Sequence, residues 1–182
     1  MPAFHPIGFF LPLAVASLYI LRAVPYLWSR TALYLAALSL VMYLLPNWNP
    51  QGNVGVGIAP LYVLMMWVQV LPDRINPPRW WPERLPMGAL LPYTFAAIAV
   101  PDILLTWQGG GEHWTVGGAG WRDGLVRFWL FAMPAFVLLR GLSDFGCARD
   151  QREPFVLQRW LAEHLSPWPP AVPAPSPAPG WP

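Results

Sequence analysis

The chain has 182 residues, of which 55% are hydrophobic and only 11% are charged, and its formal net charge is +2. Soluble domains usually carry about 25% charged residues, so this chain has too few charges to coat a water-exposed globule of its size. All eleven basic residues are arginines, and they form no basic stripe of the kind that nucleic-acid-binding proteins carry. The composition therefore predicts an integral membrane protein and argues against a nucleic-acid partner.

Hydrophobic runs of bilayer length predict an all-α, polytopic membrane domain over residues 1–142. A helix of about 20 apolar residues crosses the hydrocarbon core of roughly 30 Å. The first six residues include no Lys or Arg, so the first run is expected to be a permanent helix rather than a cleaved signal. Proline, asparagine and glycine segments separate the runs, which gives five expected transmembrane helices at about residues 6–23, 26–45, 54–71, 87–107 and 125–142.

The chain changes character after residue 142. Residues 143–165 are predicted to form a cytoplasmic linker and a short amphipathic helix, because the apolar residues at positions 157, 160, 161 and 165 follow helical spacing. This helix is expected either to lie on the membrane surface or to dock on the protein's own loops. Residues 166–182 are rich in proline, which predicts a disordered tail with polyproline II character.

The arginines predict how the helices are oriented. Cytoplasmic loops of membrane proteins carry an excess of basic residues. If the N-terminus lies outside, nine of the eleven arginines fall on the inner side, and only Arg122 and Arg127 fall on the outer side. Most tryptophans also fall near the predicted helix ends, where amphipathic rings are favoured. The prediction is an N-out, C-in protein of the inner cell membrane.

Two ionisable residues lie within the fourth and fifth predicted helices, near their outer ends. Asp102 precedes the end of the fourth helix by five residues, about 7–8 Å of rise, and Arg127 lies shortly after the start of the fifth. Isolated charges at such positions are costly. The favoured interpretation is an ion pair that fastens the two helices together. The functional interpretation is that Asp102 or Arg127 lines a polar site for a proton, an ion or a substrate.

The loop between these helices carries the other candidate site residues. Glu112, His113 and Asp123 are candidates for acid–base chemistry, and Arg122 is a candidate for binding. A glycine turn between two tryptophans suggests a small β-hairpin, and the glycines permit an anion-binding nest of backbone N–H groups. The favoured interpretation is a cap anchored by tryptophan over the outer helix ends.

Several kinds of chemistry have no support in the sequence. Cys147 is the only cysteine, so an intramolecular disulfide is excluded, and no Cys/His spacing indicates a metal site. The common serine, zinc-protease and dithiol motifs are absent. No cofactor and no metal are expected, and no motif assigns the chain to a family.

The first hypothesis is therefore a non-enzymatic accessory or scaffold subunit that binds other membrane proteins or itself within the lipid bilayer. The alternative is a membrane-embedded enzyme or carrier, with an outer-face site built from the fourth and fifth helices and the glycine-rich loop. A small pore ranks last, because no helix carries a wholly polar stripe.

Overall fold

The structure, a computed structural model, describes residues 3–45, 47–48, 54–55, 59–65, 80–108, 115–116 and 124–168. Helices dominate these ranges, in agreement with the all-α prediction. The helices are α1 (Leu11–Leu18), α2 (Ile20–Ala23), α3 (Arg30–Leu44), α4 (Ala59–Met65), α5 (Met87–Gln108), α6 (Gly124–Arg127), α7 (Met133–Gln151) and α8 (Leu157–Leu165). Two π-helical turns, Pro6–Phe10 and Phe128–Ala132, run directly into α1 and α7, and the 3-10 turn Val24–Tyr26 follows α2.

Four two-residue strands form two small pairs. β1 (Ala3–Phe4) pairs in parallel with β4 (Thr115–Val116), and β2 (Asn47–Trp48) pairs antiparallel with β3 (Val54–Gly55). These pairs connect segments at the ends of the helices and do not form a sheet core.

Fewer helices have the length and composition of a membrane span than the five expected. Met87–Gln108 and Phe128–Gln151 meet both criteria, and Pro6–Leu18 with Ile20–Tyr26 makes a third if the pair, bent by 58°, counts as one span. α3 is apolar but has only 15 residues, about 22 Å of rise against a core of roughly 30 Å. Within the ranges that the structure describes, two or three apolar helices could cross a membrane, and five spans are not confirmed.

α5 is the helix against which the others pack. α1, α2, α3, α6 and α8 all contact it. The core lies along its length, where Met87, Leu90 and Ile98 are buried. Both members of the aromatic pair Phe95–Trp129, whose ring centroids are 6.3 Å apart, pack against this core. α5 confirms the predicted helix 87–107, and it ends one residue later than predicted.

α3 runs parallel to α5. At one end, Arg30 Nε donates to Glu83 Oε1 at 2.9 Å, just before α5 begins. At the other end, the Gln108 side chain donates to the Tyr43 hydroxyl. Tyr43 and Glu83 therefore lie at opposite ends of α5.

Local backbone chemistry sets the helix boundaries near the N-terminus. The first helix breaks at Tyr19, whose φ of −102° and ψ of 5° interrupt the α conformation. The second helix begins at Arg30 rather than at residue 26, because the Ser29 side chain accepts a hydrogen bond from the Ala32 N–H at 3.2 Å. This contact is an N-cap, which defines the first turn of a helix.

The last long helix continues beyond its expected end at residue 142. α7 extends to Gln151 and ends at Arg152, which adopts a left-handed conformation with φ 58°. The Glu153 N–H then donates to the Ala148 carbonyl at 2.9 Å, which satisfies a carbonyl of the last turn. Residues 143–151, expected to be a linker, thus form two further turns of helix.

Candidate functional site

The predicted outer-face site lies largely outside the described residues. Glu112, His113, Arg122 and Asp123 are all outside them. Asp102 is half-buried on α5 and has a polar partner.

Arg127 ends α6 with its side chain exposed. Among the ion pairs that form within the described ranges, none joins Asp102 to Arg127. A role of these residues in an outer-face site therefore stays a prediction.

The glycine-rich loop meets the N-terminal segment. Thr115 and Val116 are in register with Ala3 and Phe4, and the His5 N–H donates to the Val116 carbonyl at 3.0 Å. The second strand of the expected loop hairpin, near Trp121, falls outside the described residues. The N-terminal residues and Thr115–Val116 therefore lie at the same end of the bundle.

A polar cluster lies at the opposite end, centred on the carboxylate of Asp144. Its Oδ2 atom accepts from Arg140 Nε at 2.8 Å and from Trp160 Nε1 at 2.9 Å, and its Oδ1 accepts from Arg84 Nη1 at 3.4 Å. We call Arg84, Arg140, Asp144 and Trp160 the Asp144 cluster. It joins the segment before α5, the middle of α7 and the helix α8.

A second set of contacts holds the C-terminal end of α8 against the break in the first helix. Arg22 has only 3% of its surface exposed. It donates to the Trp168 carbonyl at 3.0 Å and to the Glu163 carbonyl. The Tyr19 hydroxyl donates to the Leu165 carbonyl at 2.9 Å. A cation and a hydroxyl thus satisfy the Glu163 and Leu165 carbonyls, which the last turn of a helix leaves without intrahelical partners.

His164 lies between these two sets of contacts. Its ring packs against the Trp160 indole with centroids 4.6 Å apart. Its Nδ1 atom is buried and has no hydrogen-bond partner among the described residues. Burial lowers the pKa of His164 below the ordinary histidine value, and the positive charge of Arg140 lowers it further. The neutral imidazole is therefore the form that this environment favours.

The chemistry of the Asp144 cluster suits attachment rather than proton transfer. Three donors converge on the Asp144 carboxylate, so its lone pairs already serve protein contacts. Within the described part of the chain, no group of three or more His, Cys, Asp or Glu side chains could hold a metal ion. The cluster fastens α8 to α7 and to the segment before α5.

Sequence reasoning did not anticipate this arrangement. The one pattern in the sequence that indicated it is the i, i+4 spacing of Arg140 and Asp144, because such pairs stabilise a helix that continues through both residues. An arginine beside an apolar run usually extends its charge to the interface, whereas Arg22 is buried against the end of α8. The expected amphipathic helix is present, and it docks on the protein's own helices.

Two glycines offer a matched test of this packing. A Cβ on Gly88 would lie 2.8 Å from the Tyr19 ring and 3.2 Å from the His164 carbonyl oxygen, whereas a Cβ on Gly146 would meet nothing within 4 Å. Gly88→Ala should lower the free energy of unfolding by about 1–3 kcal/mol through overpacking. Gly146→Ala should raise it by up to about 1 kcal/mol, because alanine favours the helix.

Thermal unfolding in detergent distinguishes the two glycine variants. Equal midpoints for Gly88→Ala and Gly146→Ala would show that α8 does not pack tightly against the start of α5.

The chain matches no protein-family model, no curated protein and no solved structure.

Proposed function

We propose that this chain is a multi-pass protein of the inner cell membrane that acts without catalysis, as an accessory or scaffold subunit. Its partners are other membrane proteins or a second copy of itself. The proposed topology has five crossings, with the N-terminus outside and α8 inside.

Two features of the fold support this topology. α3 and α5 run parallel, so the chain between them has to return along the bundle. The N-terminal strand pairs with Thr115–Val116 after α5, so both strands lie on the same side of the membrane. The proposed topology explains this pairing, because the chain crosses the membrane an even number of times between the two strands. The Arg22, Arg84 and Arg140 side chains all lie at the other end, as the excess of basic residues on cytoplasmic sides would require.

The observation that carries the proposed function is the open surface of α7. In the most apolar 18-residue stretch of the candidate span Phe128–Gln151, 22% is buried inside the protein. The corresponding share in α5 is 44%. Phe131, Leu138 and Leu142 have their side chains turned away from the core and exposed. A membrane helix that its own bundle leaves uncovered is available for lateral packing with another helix, which van der Waals contacts drive in lipid.

Site-specific photo-crosslinking in native membranes tests this function. A photoreactive residue at Leu138 or Leu142 on α7 should give an adduct of one discrete mass, equal to a dimer or to a complex with one partner. Leu33 and Leu40 on α3 are matched controls, because they are equally large and also exposed. They should give lipid adducts alone.

Two results would overturn the proposal. One is the same adduct pattern at α3 and α7, which would indicate random collisions. The other is the absence of any protein adduct at α7 together with a monomer in mild detergent.

A further inference from the structure

One side of α8 remains open after the helix has docked. Trp160 and His164, four residues apart, face the bundle, and a Cβ on Gly141 of α7 would lie 3.5 Å from the Trp160 ring. Leu157 and Leu161 occupy the adjoining side of the helix and have 58% and 39% of their surfaces exposed. Exposed apolar side chains at i and i+4 form a stripe along a helix.

The contacts of Trp160 show where along the length of α7 the helix α8 lies. Trp160 packs beside Gly141 and bonds to Asp144. These residues lie where the apolar part of the candidate span gives way to charged side chains. From Phe128 to Leu142 the helix rises about 21 Å. α8 therefore lies beside the end of the membrane-spanning apolar surface rather than far beyond it.

The open side of α8 continues a surface that starts on α7. Leu138, Leu142 and Phe145 are exposed along α7. The Phe145 ring packs edge-on against Phe155, with centroids 5.5 Å apart, and Phe155 leads into α8. The apolar surface of the span thus turns onto the short helix without a polar gap between Phe145 and Phe155.

The charges on α8 indicate which kind of lipid surface the helix can bind. Arg159 and Glu163 lie on the far side and pair with each other at 2.9 Å. Gln158 and Ala162, also on that side, are exposed. The side chains of α8 thus offer no excess of positive charge to anionic headgroups, so apolar burial is the interaction that remains.

We propose that α8 is an interfacial helix, with Leu157 and Leu161 inserted at the boundary between lipid headgroups and acyl chains while Trp160 and His164 hold it to the bundle. The partner is the zwitterionic lipid of the surrounding bilayer. This inference depends on the membrane location in the proposed function but not on any protein partner.

Spin-label accessibility tests the proposal on the full chain in phosphatidylcholine nanodiscs. In a Cys147→Ser background, labels are placed at Leu157→Cys and Leu161→Cys, and at the matched controls Gln158→Cys and Ala162→Cys. The ratio of oxygen to nickel-complex accessibility should be at least five times higher at 157 and 161 than at 158 and 162. Val156→Cys, also exposed, gives an additional position if one leucine variant fails to fold.

A label at Leu138→Cys separates failure of this inference from failure of the membrane topology. An oxygen-rich environment at 138 combined with equal ratios at all four α8 positions would overturn the interfacial helix alone. A water-accessible label at 138 would overturn the membrane placement as well. A ratio that rises with anionic lipid and falls with salt would assign the contact to electrostatics, and would also overturn the proposal.

Discussion

Asp144→Asn should lower the free energy of unfolding by about 3 kcal/mol. Two arginine side chains and the Trp160 N–H donate to this one carboxylate, and the substitution removes its charge. It also replaces one oxygen by an NH2 group that faces donors. Breaking a buried ion pair by removing one partner costs about 3–5 kcal/mol. The Asp144 side chain keeps some solvent contact, so the lower figure applies.

Thermal unfolding in a mild detergent measures this effect, which corresponds to a midpoint about 6–12 °C lower for a chain of this size. Asp150→Asn is the matched control. Asp150 lies on the same helix with its side chain exposed, and substitutions at exposed positions usually change stability by less than about 0.5 kcal/mol. Its midpoint should stay within about 2 °C of the parent, which corresponds to about 0.5 kcal/mol. If both variants unfold at the same temperature, the Asp144 cluster does not fasten α8.

The position of α5 could be predicted from sequence because length and hydropathy define it without help from neighbours. Its 22 residues form one apolar run, and Trp107 marks its end, as expected for an aromatic ring at an interface. The two prolines, Pro92 and Pro101, lie inside this helix and do not break it.

The extension of α7 could not be read from hydropathy, because that signal ends where the helix leaves the apolar region. Most residues from Ser143 to Glu153 are polar or small, so this stretch resembles a linker in composition. Only the Arg140–Asp144 spacing and the absence of proline until Pro154 favoured helix. The composition of a segment indicates whether it lies in an apolar or a polar environment. The end of the helix is determined instead by the backbone geometry and the C-cap at Arg152.

The Asp144 cluster depends on tertiary contacts that no local pattern encodes. Arg84 lies 60 residues before Asp144, and Trp160 lies 16 residues after it. The periodicity of α8 correctly predicted a helix, but it could not tell that Trp160 would be buried while Leu157 stays open. Both are apolar residues on neighbouring parts of the same face, and only the docking partner distinguishes them.

Arg22→Met should release α8 from the first helix. Met fills much of the space of the arginine stem but removes the donors to the Glu163 and Trp168 carbonyls. A hydrogen bond to a charged group contributes about 1.5–3 kcal/mol. Losing both bonds should therefore weaken the free energy of α8 docking by about 3 kcal/mol. Arg22→Lys should be intermediate, because an ammonium group keeps the charge but lacks the planar fork that reaches two acceptors.

Limited trypsin digestion in detergent reports the docked state of α8, because cleavage after Arg159 requires the helix to open. Where opening is fast relative to cleavage, the rate follows the open population, and about 3 kcal/mol corresponds to roughly a 100-fold increase. Arg30→Met is the control, because Arg30 pairs with Glu83, before α5, in a partly exposed contact, and its rate should stay near that of the parent. An unchanged rate in Arg22→Met would mean that the Tyr19 and Trp160 contacts hold α8 without Arg22.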